Sequence, residues 1–145
     1  KCADRSTGEQ MFKQINFRTE KLTCWKNLLD DVAALVAESG VQEGLCIVHN
    51  PHSTAGIFLN SHLDPKTPED ILDEWNRLIP TGFDFRHQYD TPTDAAGHVK
   101  SVLMGTTATI IVHEGKLALG HSQGIVFVEF DGPRNRQVYV KVTAC

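Results

Sequence analysis

No run of apolar residues in this 145-residue chain approaches the roughly 18 needed for a membrane-spanning helix, so no membrane partner is expected. Basic charge is also scarce. Lys and Arg number 14 against 18 Asp and Glu, a formal net charge of −4 with His neutral. That balance gives no electrostatic basis for wrapping nucleic acid, so none is expected as a partner. The four cysteines, Cys2, Cys24, Cys46 and Cys145, contain no CxxC pair, which excludes a zinc ribbon or a thioredoxin-like motif. They read as inert free thiols of a reducing compartment. Lys1 to Phe12 lacks the apolar stretch of a signal peptide, and the expected location is cytoplasmic. Repeats and low-complexity linkers are missing too, so the whole of 1–145 is expected to be one domain. Hydrophobic residues at 41 % and charged residues at 22 % are ordinary values for a globular chain of this length, which argues against disorder.

What is present is a patterned α+β sequence. Met11–Thr19 reads as a strand. Cys24–Ser39 places Leu28, Leu29, Val32, Leu35 and Val36 on one helical face, with Gly40 as the stop. Leu45–His49 and Ala55–Asn60 read as short buried strands. Thr67-Pro68-Glu69-Asp70 has the signature of a helix start, with Thr67 as cap, and that helix ends at Pro80. A third helix is expected from a cap at Asp94 to Met104, with Val99, Val102 and Leu103 as its apolar face and Gly105 as its end. The last third is β: Thr107–His113, a hairpin turn at Glu114-Gly115, Lys116–Leu119, Gly124–Phe130 and Arg136–Thr143. The connections are too short for parallel crossovers, so the expected fold is a mixed, mostly antiparallel sheet with about three helices on one face.

Seven histidines are available for chemistry, and placement must separate ligands from solvated side chains. His52 lies between two strands in a loop whose Ser53, Thr54 and Gly56 allow close approach by a phosphate or carboxylate. His87 sits in a polar, aromatic connection. His98 lies one helical turn after Asp94, which can orient its ring or cap the helix. Together these three histidines could hold zinc with a position open to water or substrate, although no fixed-spacing motif such as HExxH supports it. Glu129 falls within an apolar strand and, if buried, needs a partner such as a histidine, Arg134 or Arg136. Both arginines can grip an oxyanion with two hydrogen bonds. Lys100 could add positive charge, and Gln123 could hydrogen-bond a substrate.

In order along the chain, His52-Ser53-Thr54-Ala55-Gly56, Leu59-Asn60, Asp64-Pro65, Asp70, and His87 with Tyr89 form a set. It continues through Asp94 to His98-Val99-Lys100-Ser101, Gly105, Gly115, Gly120, Gln123-Gly124 and Glu129. This set resembles the YjbQ family over most of the chain from about Gly44 onward. The resemblance implies a compact mixed-sheet domain that assembles as a homotrimer, with a histidine-lined cleft built on His52, His87 and His98 and with Gln123 and Glu129 nearby. It also implies a weak thiamine-phosphate synthase activity. At the segment where the family has Gly-Thr-Trp-Gln, this chain has Gly120-His121-Ser122-Gln123, which removes an aromatic wall.

These readings give a first expectation of a small-molecule enzyme, either a transferase of the thiamine-phosphate synthase type or a metal-dependent hydrolase. A divalent metal, zinc before Mg²⁺, would sit on His52, His87 and His98, with Glu129 orienting a ligand or acting as base. Ser53, Thr54, Lys100, Gln123, Arg134 and Arg136 would bind a small anionic, phosphorylated molecule. The alternative expectation is a non-catalytic module that binds the same metabolite.

Overall fold

The computed structural model describes residues 10–82 and 84–145. Eight strands and three helices follow one another: β1 (Gln10–Arg18), β2 (Cys24–Asn27), α1 (Leu29–Ser39), β3 (Gly44–His49), β4 (Ala55–Ser61), α2 (Lys66–Leu78), α3 (Pro92–Met104), β5 (Thr107–His113), β6 (Lys116–Leu117), β7 (Gln123–Glu129) and β8 (Asn135–Ala144). The α+β class with three helices and antiparallel pairing is as the sequence led us to expect. The strands divide into two sheets, β1-β8-β3-β5-β6 and β2-β7-β4. Every pairing is antiparallel.

The sheets stack through a common core. Cys46, Val48, Ile110, Val112, Val138, Val140 and Val142 from the large sheet meet Ile57, Ile125 and Phe127 from the small one, with Val32 and Val36 of α1 alongside. The far side of the small sheet carries Val126, Val128 and Phe130, covered by Leu72 and Trp75 of α2 and by Met104 of α3. β7 is therefore buried on both faces, and burying a side chain such as Phe127 contributes roughly 1.5–3 kcal/mol. The outer face of the large sheet has no layer over it among the described residues. The register puts Phe12 and Ile47 there together through Lys141, and Leu45 beside Ile111. Phe12 and Ile111 are exposed.

Three local expectations need correction. Cys24–Asn27 is not the start of the first helix but a strand on β7, and the helix begins at Leu29, whose N–H donates to Asn27 Oδ1. Thr67 does not cap α2. Pro65 occupies the cap position, and Asp64 before it accepts at Oδ1 from Lys66 N at 2.9 Å. Asp94 does not cap α3 either. Thr91 Oγ1 accepts from Asp94 N, and Pro92 occupies the first helical position, where its missing N–H costs nothing. The Glu114-Gly115 hairpin is as expected, with positive φ at both residues, 50° and 73°.

Candidate metal centre and adjoining cleft

The Thr91 cap frees the Asp94 carboxylate for other work. Asp94 and His98 are one turn apart on α3, so they share a face, and the loop before the helix brings His87 back to the same point. His87 Nε2 lies 2.7 Å from Asp94 Oδ2 and His98 Nε2 lies 3.3 Å from the same oxygen. The three donor atoms all lie within 4.8 Å of one another. Tetrahedral zinc with bonds of about 2.0–2.1 Å separates its ligands by roughly 3.3 Å, so little movement would be needed to coordinate an ion. Asp94 is buried, which opposes its ionisation. The hydrogen bond from His87 and the nearby charges of His98 and His87 outweigh that and hold its carboxyl below the ordinary value.

The His98 ring is fixed from behind. Its Nδ1 lies 3.1 Å from the carbonyl oxygen of Ser53, which can only accept, so Nδ1 carries a proton. In the neutral ring, Nε2 then presents a lone pair to the Asp94 carboxylate. Two acceptors at 3.3 Å repel unless a second proton or a cation lies between them. A carbonyl bonded to the remote ring nitrogen is the usual outer support of a metal-binding histidine. The contact needs α3 to lie close on the 50–55 loop, and Gly97 permits it: a Cβ there would sit 3.2 Å from Thr54 Cβ. The loop itself is organised by buried Asn50, whose Nδ2 donates to the carbonyls of His52 and Ala55.

Beside this centre lies a polar cleft of about 290 Å³, walled by His52, Thr54, Asp94, Arg134 and Arg136 among others. Arg136 is its most constrained member. Its Nε and Nη2 donate to the two oxygens of Glu129 at 2.7 and 2.6 Å, and Nη2 also donates to Thr54 Oγ1 at 2.8 Å. Glu129 is fully buried and takes two more bonds, from Thr19 Oγ1 and Asp131 N. Its charge is thereby satisfied, and the Nη1 donors of Arg136 are left to the cleft. Arg134 is held by Asp131, which bonds Nη2 at 2.7 Å and raises the guanidinium pKa further. Asp131 also accepts from Thr93, tying this turn to the first turn of α3.

The structure thus gathers His87 and His98 around one carboxylate and puts His52, Ser53, Thr54, Arg134 and Arg136 next to them. His52 is not one of the three clustered donors; its Nε2 is engaged by the backbone of Gln137, 3.0 Å from the N and 3.1 Å from the O. Burial first, and then the charge of Arg136, lower the pKa of His52, so it is neutral at ordinary pH. Glu129 faces Arg136 and Thr19 rather than the histidines. Lys100 is buried, its Nζ donating to Asn76 Oδ1 and lying 5.8 Å from the centre of the Phe130 ring, and burial lowers its pKa. Gln123 begins β7 while Glu129 ends it, which puts it about 20 Å away at ~3.3 Å per residue; its Oε1 accepts from Gly120 N. The residue undervalued by sequence reasoning is Asp94 as a ligand. Its i, i+4 spacing to His98 was the available signal.

A family model described as UPF0047 protein YjbQ-like matches residues 13–145. The chain belongs to this family. A UPF0047 protein of Methanocaldococcus jannaschii is 38 % identical over 133 residues, covering 92 % of this chain and 94 % of that one. The UPF0047 protein YugU of Bacillus subtilis is 35 % identical over 134 residues, covering 91 % and 98 %. Among solved structures, a YbjQ-like protein of unknown function from Sulfolobus solfataricus superposes with a TM-score of 0.90 at 29 % identity, covering 95 % of this chain and 99 % of that one. A YjbQ/UPF0047 family protein from Clostridium acetobutylicum gives a TM-score of 0.84 at 38 % identity, covering 90 % and 98 %. The YjbQ-like fold of this chain is thus shared with experimental structures over nearly its whole length.

Proposed function

We propose that this UPF0047 protein is a small-molecule enzyme that uses a divalent metal held by His87, Asp94 and His98. The observation that carries the reading is the pair of imidazole Nε2 atoms converging on one buried carboxylate oxygen, with the His98 ring locked by Ser53. Two nitrogens and one oxygen suit zinc better than Mg²⁺, which prefers an all-oxygen shell. A metal there would supply Lewis acidity and lower the pKa of a bound water. The chain's own part is to orient the ion through Ser53, to bind an anion on Arg136 and Arg134, and to present neutral His52 as a hydrogen-bonding group. The substrate is a small anionic, phosphorylated molecule. Thiamine-phosphate synthase activity, the family-level version of this reading, we take as a side reaction, because the cleft is polar and has no aromatic wall for two ring-bearing substrates.

A second reading is a non-catalytic module for the same anion. It is favoured by His52 and Glu129, the expected proton carriers, both being tied into fixed hydrogen bonds. Assembly as a homotrimer, which the family resemblance implies, would give the exposed Phe12 and Ile111 on the uncovered face of the large sheet a place to be buried. No described helix is long and apolar enough to cross a membrane.

Elemental analysis of protein purified without chelator or affinity tag tests the proposal. Near-stoichiometric metal that is lost in His87→Ala, Asp94→Asn and His98→Ala supports it, and turnover of phosphorylated metabolites by the loaded protein then separates enzyme from module. No metal above background, even after add-back, removes the metal-dependent enzyme.

A further inference from the structure

The polar cleft beside the candidate metal centre limits what its ligand can carry besides an anion. At about 290 Å³ it falls at the lower end of small-molecule sites, which run from about 300 to 1,000 Å³. Such sites are usually walled by apolar and aromatic side chains that bury the hydrocarbon of the ligand. Here Pro51 is the one apolar residue of the lining, and every other has a polar or charged side chain. Little in the cleft rewards the burial of a ring or an alkyl chain.

Charge narrows the choice further. Each cleft arginine already has its own acid: Glu129 takes Arg136 at 2.6 Å and Asp131 takes Arg134 at 2.7 Å. Two carboxylates of the lining are left over, Asp94 and Asp90. Asp94 is engaged by His87 and His98. The Asp90 carboxylate makes no hydrogen bond to a described side chain; it stands 3.9 Å from Arg134 Nη2, beyond hydrogen-bond reach. A free carboxylate in a cleft for an oxyanion repels it, unless the same ligand brings that carboxylate a donor. The donor that fits is a hydroxyl. An ammonium at the same place would meet the guanidinium of Arg134.

Resting on the metal centre proposed above, we infer that the ligand is the monophosphate of a short polyol, with its phosphoryl group between the metal and Arg136 and its hydroxyls donating to Asp90. Asp90 is then a specificity-determining residue that holds neither the metal nor the phosphate. It selects for the organic part of the ligand, which the arginines do not read.

The test uses protein loaded with one equivalent of Zn²⁺, its metal content measured before any ligand is added. Calorimetry compares glycerol 3-phosphate with propyl phosphate, which has the same chain without hydroxyls, with 3-aminopropyl phosphate and with phenyl phosphate. Expected is saturable binding of glycerol 3-phosphate, about tenfold tighter than of the other esters, the worth of a hydrogen bond to a charged acceptor. In Asp90→Ala the zinc content should be unchanged and the preference over propyl phosphate should vanish. Equal binding of the glycerol and propyl esters overturns the inference. So does tighter binding of the amino or phenyl ester, or a preference that survives in Asp90→Ala. Zinc held with no phosphate ester bound overturns this inference alone, whereas no zinc at the outset removes the metal centre and this inference with it.

Discussion

The Nδ1–H of His98 ends on the carbonyl oxygen of Ser53 at 3.1 Å, and that bond decides what the opposite side of the ring can do. With Nδ1 committed as donor, Nε2 of the neutral ring is a lone pair aimed at Asp94 Oδ2. The ring is oriented for a cation before any cation arrives.

Metal affinity should follow the converging atoms rather than the count of histidines in the cleft. Chelator-competition titrations with Zn²⁺ should show losses of 100-fold or more for His87→Ala and His98→Ala, and a smaller loss for His52→Ala, on the order of tenfold. Equal losses in all three would place His52 in the coordination shell.

Glu129→Gln should destabilise the fold by about 3–5 kcal/mol, because it leaves the buried guanidinium of Arg136 facing a neutral amide. Denaturant unfolding at neutral pH measures it. Destabilisation under 1 kcal/mol would mean that Glu129 is not what secures Arg136.

At Gly132 an added Cβ would lie 2.2 Å from the carbonyl oxygen of Lys21 and 2.9 Å from both Glu129 Cγ and Thr19 Oγ1. Gly132→Ala must therefore push the β7–β8 connection off the β1–β2 turn. A loss of about 2–3 kcal/mol is expected, typical of forced overpacking against backbone. Thermal unfolding beside the wild type checks this, and an unchanged midpoint would show that the turn gives way freely.

Burial pushes the Cys46 thiol up to about 11 from an ordinary value of 9.0. The folded state therefore holds its proton where the unfolded chain has lost it. This contribution to stability is complete below about pH 9 and is lost as pH rises toward 11. Unfolding free energy should fall across that window in the wild type and fall less in Cys46→Ala. In folded protein near neutral pH, Cys46 should resist alkylation while exposed Cys145 reacts.

Local patterns carried much of this into the sequence. β7 alternates as a strand must, with Ile125 and Phe127 in one core and Val126 and Val128 in the other, and the partner expected for the Glu129 carboxylate is Arg136. Periodicity failed on α3. Val102, read as part of its buried stripe, is 81 % exposed, and the packed face is instead Ala96, Gly97, Lys100 and Ser101. Small residues let that helix sit close enough for Ser101 Oγ to reach the Ala55 carbonyl, at 2.6 Å. Hydropathy has no term for closeness. The strand at Cys24–Asn27 was hidden for a different reason: only pairing with residues some hundred positions later makes it a strand.

Thr19 donates to Glu129 across 110 positions of sequence, and Arg136 at the start of β8 grips the same carboxylate. His87, Asp94 and His98 lie within a dozen residues of one another. The two halves of the cleft therefore differ in what they require of the chain. The ligand atoms of the imidazole cluster come from one helix and the loop before it, and only the Ser53 carbonyl that orients the His98 ring comes from farther away. Arg136 and Glu129 are only seven positions apart, but Thr54 and Thr19 complete their clamp from 82 and 110 positions away, so the anion half of the cleft is finished only when three distant parts of the chain have met.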